Sequence, residues 1–186
     1  MRVITGSARG MKLLSVEGMD TRPTSDWTKE SMFNIIQFDI EGRRVLDLFS
    51  GIGQLGIEAL SRGAKSCVFI DNRRDCVQVT QKNVDKTGFH DVSAVEQSDY
   101  RAYLKRTGKE AFGLIFLDPP YGNGMLQRAL STIYERDILS PGGLIVCEGE
   151  REDKLPLPPE KYEQQEKEYF YGKTKITIIR KKDTEA

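Results

Sequence analysis

Residues 44–71 read RVLDLFSGIGQLGIEALSRGAKSCVFID, and this stretch decides the fold. RVLDLF (44–49) is a short apolar run of the kind that forms a buried strand. It ends in a turn that holds Gly51 and Gly53. QLGIEALSR (54–62) then changes to helical spacing, and Gly63 stops it. SCVFI (66–70) is a second apolar run, closed by Asp71. Both strand candidates are continuously apolar rather than alternating, as in a parallel sheet covered on both faces.

The same rhythm extends outward. Residues 75–87 predict a helix stopped by Gly88, 92–96 a strand, and 100–105 a short helix. GLIFL (113–117) predicts a fourth strand, 125–134 a helix, and GLIVC (143–147) a fifth strand. After Arg151 the pattern changes. LPLPPE (155–160) is a proline-rich connection, and β-like runs at 162–171 and 174–181 flank Gly172-Lys173 as a closing hairpin. Upstream, Val3-Ile4 and residues 12–14 flank a 6–10 turn, which predicts a small hairpin. Residues 29–38 predict a helix leading into the core. The expected fold is α/β, a mostly parallel sheet with helices on both faces. Residues 1–40 read as an N-terminal hairpin-and-helix extension, and 41–186 as a single globular unit.

The 186 residues carry 28 Lys+Arg and 28 Asp+Glu, so bulk charge gives no reason to expect nucleic-acid binding. Any such surface must be a local patch. Cys67, Cys76 and Cys147 are scattered and odd in number. They predict reduced thiols, with no disulfide framework and no metal site. No signal peptide or membrane-length apolar run is visible, so a cytoplasmic protein is expected.

Chemistry concentrates where strands end. Glycines at a strand-to-helix turn let a ligand approach the backbone. Asp71 follows about 20 residues after the turn, where a carboxylate can accept from ribose hydroxyls. Asp99 follows the third strand, where an acid can meet an adenine amino group. The glycines alone, with Gly56 completing G-x-G-x-x-G, also suit a dinucleotide. The fourth strand separates the two, because it runs into Asp118-Pro119-Pro120-Tyr121. A base amino group is a poor nucleophile, since its lone pair is delocalised into the ring. A catalyst must hold its N–H groups so that the lone pair faces a methyl sulfonium. Asp118 supplies one acceptor and the Pro119 carbonyl another, on a loop that proline stiffens. Tyr121 offers a ring on which a flipped base can stack.

RVITGSARGMKL (2–13), TRPTSDWTKESMFNI (21–35), VLDLFSGIGQLGIEALSRGA (45–64) and LIFLDPPY (114–121) resemble one family: the bacterial 16S ribosomal RNA guanine-N2 methyltransferases with a D-P-P-Y loop. The resemblance covers nearly the whole chain. It implies a Rossmann-like, seven-stranded methyltransferase sheet whose last hairpin is antiparallel. It also implies S-adenosyl-L-methionine as donor and a guanine exocyclic amine in small-subunit ribosomal RNA as acceptor. Carried onto this chain, Phe49, Ser50, Gly51 and Gly53 wrap the methionine and ribose end. Asp71 with Asn72 holds the ribose, and Asp99 with Tyr100 the adenine. Arg22 and Thr24 close over the donor. Asp118, Pro119, Pro120 and Tyr121 hold the base. The partner implied is 16S rRNA or the small subunit, and a monomer without metal is expected. Relatives more often read AGSGALG at the turn and have a basic residue at the position of Trp27. These departures bear on the RNA-facing surface more than on the chemistry.

Other residues read as structural. His90 is expected in a solvated loop, and Trp27 is expected to pack at a helix start rather than stack on RNA. Arg2, Arg9, Lys12 and Arg22 suit a phosphate patch as well as an ordinary mixed-charge surface. Two rival functions remain. One is a DNA adenine or cytosine amino-methyltransferase, although the chain has no spare domain with which to read a duplex. The other is a catalytically silent RNA-binding assembly factor, against which the intact glycines, acids and D-P-P-Y loop count.

Overall fold

The computed structural model describes residues 1–16, 26–165 and 168–183. Arg22 and Thr24 lie outside the described residues. In chain order the elements are α1 (Asp26–Ile35), β1 (Arg44–Asp47), α2 (Gln54–Ser61), β2 (Ser66–Asp71), α3 (Arg74–Thr87), β3 (Ser93–Gln97) and α4 (Tyr100–Arg106). They continue with β4 (Phe112–Leu117), α5 (Met125–Arg136), β5 (Leu139–Glu150), β6 (Tyr162–Gln164), β7 (Tyr169–Tyr171) and β8 (Thr174–Lys181). A 3-10 turn, His90–Val92, precedes β3.

The sheet runs β3-β2-β1-β4-β5-β8-β6, with β7 also on β8. The first five strands are parallel, and β8 returns antiparallel against β5. This is the mostly parallel α/β sheet with an antiparallel end that the sequence predicts, with eight strands among the described residues where the resemblance implied seven. Parallel pairing gathers the carboxyl ends of β1 to β5 on one edge, where ligands of open α/β sheets bind. Two apolar layers cover the faces. One holds Met32 and Phe33 of α1 and Ile36 just after it, with Ile57, Phe69 and Ile178. The other holds Leu104, Leu130 and Ile133 of α4 and α5 with Leu46, Ile115 and Ile145.

Three elements differ from the sequence reading. α1 begins at Asp26 and ends at Ile35, three residues earlier at each end than expected. Ile36 and Ile40 are both fully buried, so the chain turns between them and leaves Phe38 92% exposed. β5 extends from Leu139 through Glu150, because its pairing with β4 resumes past a register shift opposite Phe112 and Leu114. The expected run 162–171 is two strands. β6 pairs with the far end of β8 and β7 with its start. The residues between them, 165–168, read QEKE and include no apolar residue.

The N-terminal hairpin forms around one antiparallel bridge, Arg2 to Lys12, and inserts Val3, Ala8 and Leu13 into the α1 layer. Its dock is the end of α2. Fully buried Glu58 accepts from the backbone N–H groups of Ile4 (2.8 Å) and Thr5 (3.0 Å) and from Arg62 Nε (2.9 Å). Lys29 Nζ, also buried, lies 3.5 Å from the same carboxylate. Ser61 Oγ accepts from Ala8 N–H and donates to the Thr5 carbonyl. Gly6 has φ +88°, and a Cβ there would stand 1.7 Å from the Ser61 carbonyl oxygen, so only glycine lets the hairpin seat.

Breaking a buried charge pair by removing one partner costs about 3–5 kcal/mol. Glu58→Gln puts an amide nitrogen against a backbone N–H and takes the carboxylate from Lys29. Urea unfolding is expected to show a loss in that range. A change below roughly 1 kcal/mol, the scale of a surface pair, would show that the dock is not held by this charge.

Candidate functional site

The turn after β1 is wedged between two neighbouring strand ends. Leu48 N–H donates to the Phe116 carbonyl at 3.2 Å and Ser50 N–H to the Ile70 carbonyl at 2.9 Å. Gly51 and Gly53 have φ of +54° and +82°. Their roles divide. A Cβ on Gly53 would lie 2.9 Å from Thr80 Cγ2 of α3, whereas one on Gly51 would meet nothing within 4 Å. Gly53 serves packing, and Gly51 faces open space. α3 holds this backbone from behind, with Thr80 Oγ1 donating to the Gly51 carbonyl (2.8 Å) and Asn83 Nδ2 to the Ile52 carbonyl (2.9 Å). Gly56 packs α2 against β2, where a Cβ would lie 2.3 Å from the Phe69 ring.

Asp71 closes β2 and faces the turn. Its Oδ2 accepts from Gly51 N–H (2.9 Å) and its Oδ1 from Arg73 N–H (2.9 Å). Burial raises its pKa, and these two N–H bonds oppose the rise. A carboxylate has about four acceptor positions, so both oxygens keep capacity for hydroxyl donors. Asn72 is exposed beside it, and its carbonyl accepts from Gln97 Nε2. Asp99 caps α4, with Oδ1 accepting from Arg101 and Ala102 N–H, the geometry for which aspartate is favoured at a helix start. Phe49 is half-buried with its ring 5.1 Å from that of Tyr100. Tyr100 is itself buried, and its hydroxyl accepts from Arg101 Nε and Arg128 Nε. Ser50 is 4% exposed, and its Oγ has no hydrogen-bond partner among the described residues.

The loop 118–121 leaves β4 on the same edge. Asp118 is half-buried, Pro119 buried and Pro120 exposed. The Leu117–Cys147 register sets Asp118 alongside Glu148 at the end of β5. Tyr121 is 37% exposed, with its hydroxyl 3.0 Å from Thr174 Oγ1 and 3.4 Å from Glu148 Oε1. Burial pushes its phenol up to about 12. The Thr174 bond works against this, and the Glu148 and Asp118 carboxylates add to it. The ring is therefore pinned by its hydroxyl end, and near neutral pH the phenol stays protonated. Its available service is a flat face rather than a base.

The described candidates thus converge on one crevice edge. The sequence reading missed the residues that hold them. Asp47 was hidden inside an apolar strand run, although a lone acid in such a run is a signal. Glu148 sits just past GLIVC, where a strand-end acid could have been flagged. Thr80, Asn83 and Thr174 carry no sequence signal, because their partners are backbone or side-chain atoms more than 25 residues away.

Comparison with known proteins gives one consistent picture. A family model described as conserved hypothetical protein 95 matches residues 1–180. The protein named "Putative rRNA methyltransferase YlbH" of Bacillus subtilis is 41% identical over 184 residues, covering 98% of this chain and 100% of that one. Ribosomal RNA small subunit methyltransferase D of Haemophilus influenzae is 34% identical, covering 85% and 83%. Among solved structures, "Putative methyltransferase yhhF from Escherichia coli" superposes with a TM-score of 0.88 at 30% identity, covering 99% of each chain.

Asp47 is 2% exposed and accepts from Gly56 N–H at 3.0 Å, beneath the glycine turn. Burial raises its pKa to about 7. The Gly56 bond opposes that, and the Asp71 charge reinforces it. The folded protein therefore holds a proton that the unfolded chain has lost between about pH 4 and 7. Stability from this group is fully present at the acid end, falls as pH climbs through the window and levels off above it. The slope is at most about 1.4 kcal/mol per pH unit. Asp47→Asn keeps an oxygen for Gly56 and cannot ionise. The difference in urea midpoint between variant and wild type is expected to move in the variant's favour from pH 4 to 7. A constant difference would remove the assignment.

Proposed function

Because the chain belongs to the conserved hypothetical protein 95 family, alongside the small-subunit rRNA methyltransferases D, we propose that it methylates the exocyclic N2 amine of a guanine in 16S rRNA, with S-adenosyl-L-methionine as donor. One observation carries the reading. The loop Asp118-Pro119-Pro120-Tyr121 leaves the sheet on the same edge as the glycine turn and Asp71, which supports a nucleoside site and an amine-holding loop side by side.

The residues fit the donor. Gly51 leaves open space where a side chain would stand, and the buried Ser50 Oγ has no partner among the described residues. Asp71 would accept the ribose hydroxyls while it keeps the turn closed, and Asn72 flanks it. Asp99 spends Oδ1 on the α4 cap and keeps Oδ2 for an adenine amino group. Phe49, backed by Tyr100, supplies an apolar wall, and Gly53 lets the turn lie flat on α3. Arg22 and Thr24 belong to the same proposal through the family resemblance. The donor supplies a methyl group on an electron-poor sulfonium.

The chain's own residues do the rest. Asp118 accepts one N–H of the target amine, and the Pro119 carbonyl accepts the other. This turns the nitrogen lone pair out of conjugation and stabilises the positive charge that develops on nitrogen. Pro120 stiffens the loop, and Tyr121 stacks on the extruded base. RNA as the acceptor gains support from local charge. Arg101, Lys105 and Arg128 line an open groove of about 360 Å³ between α4 and α5, with Glu135 as its one carboxylate. In a chain of zero net charge, that excess of cations beside the crevice suits phosphates.

Labelled donor incubated with small ribosomal subunits, free rRNA and DNA, followed by nucleoside mass spectrometry, is expected to yield N2-methylguanosine in 16S rRNA. Methylated adenine or cytosine in DNA would replace the reading with a DNA enzyme, and no transfer at all would favour a silent assembly factor. Asp118→Ala is expected to cut kcat by roughly 10²–10³-fold, the scale for one lost charge-stabilising contact, with donor affinity retained. Full activity in that variant would remove Asp118 from the chemistry. Asp71→Ala is expected to weaken donor binding by about 1–3 kcal/mol, measured by calorimetry. An unchanged Kd would sink that assignment.

A further inference from the structure

Trp27 stands at the second position of α1 and is 64% exposed. Its ring centroid lies 5.0 Å from that of Tyr171, with the planes at 84°. The sequence alone favoured simple packing for this tryptophan. Instead, one edge-to-face contact sets its orientation while most of its surface faces solvent. Tyr171 ends β7 and pairs with Thr174. Thr174 Oγ1 is the group that holds the Tyr121 hydroxyl. Tyr171 also packs on the apolar layer that α1 covers, so Trp27 and Tyr171 lie on one face of the sheet. Tyr121, Thr174, Tyr171 and Trp27 thus form a continuous rim leading outward from the loop proposed to hold the target base. The other side of the same hairpin carries Phe170, 43% exposed, with the Arg151 guanidinium 4.7 Å from its ring centroid.

We propose that Trp27, seated edge-to-face with Tyr171, is a stacking platform for an unpaired RNA nucleotide adjacent to the methylated base. The proposal rests on the rRNA-methyltransferase reading and extends it to a specific contact. An amine can reach the crevice only on an unstacked nucleotide, and the neighbours of such a nucleotide lose a stacking partner. An aromatic ring replaces that partner for any base, because every base has a π face. A duplex would not use the platform, since its bases are already stacked.

Trp27 is the only tryptophan in the chain, so intrinsic fluorescence reports on this one ring. The full-length protein is titrated with a mixed-sequence single-stranded RNA 12-mer and, separately, with the duplex of the same sequence. Quenching by the single strand and little response to the duplex is expected. In steady-state assays on small ribosomal subunits or 16S rRNA, Trp27→Ala is expected to raise KM by roughly 5–100-fold, the scale of one lost base–aromatic stack. Its kcat and donor Kd should stay as in the wild type, and Trp27→Phe should restore most of the KM. Equal quenching by duplex, no quenching, or an unchanged KM in an enzyme that does methylate rRNA would overturn the platform and leave the functional reading intact. If the wild-type protein methylates no RNA, both readings fall together. The fluorescence titration uses the unaltered chain, so a poorly folding alanine variant does not remove the test.

Discussion

The bond from Gly51 N–H to the Asp71 carboxylate, 2.9 Å long, ties the turn after β1 to the end of β2. It joins two strands through one acid, and nearly every other site feature is arranged around it. The turn needs positive φ at Gly51 and Gly53 to fold back into α2. Thr80 and Asn83 of α3 then take its outward carbonyls, leaving the Gly51 side as open space. The acid that would meet a ribose is thus also the brace of the loop that would wrap it. Under the proposed donor site, donor affinity and loop geometry would be coupled at this one residue.

Several polar groups at the crevice edge have defined partners, which keep them in place and shift their chemistry. Asp47 lies below the turn with one backbone N–H and a pKa raised to about 7. Asp71 lies at its lip with two N–H donors that oppose the rise burial causes in its pKa. Tyr121 is pinned through Thr174 and Glu148, so a side chain on a proline-stiffened loop is held at both ends. Such preorganisation is what an amine-methylating site requires, because the target nitrogen becomes nucleophilic only when both N–H groups are held.

The opening residues of the chain join the core through a buried carboxylate rather than through strand pairing. Glu58 gathers two hairpin N–H groups, Arg62 and Lys29 at the end of α2. The segment IEALS, which in sequence reads as an ordinary amphipathic helix turn, is therefore a socket. α1 packs over the same layer and presents Trp27 next to the C-terminal hairpin. The two ends of the sequence thus meet where Trp27 packs on Tyr171, and under the platform proposal the N-terminal segment would contact substrate as well as pack.

Hydrophobic period and turn chemistry are local properties, so the sequence by itself determined the alternation of strands and helices, the parallel sheet and the antiparallel end. It also located Gly51, Gly53, Asp71, Asp99 and the 118–121 loop at strand ends, because an acid or glycine at the close of an apolar run needs no distant partner to be noticed. The tertiary structure alone decided which of these residues face the crevice and what holds them. Asp47 looked like an interruption in a core strand until Gly56 folded back onto it. Glu58 becomes a socket only when the hairpin docks on it, and Trp27, expected to pack at a helix start, stays mostly exposed with Tyr171 edge-to-face against it. In each case the deciding partner lies on another element, and burial, which sets both pKa and hydrogen-bond demand, exists only once the elements have packed together.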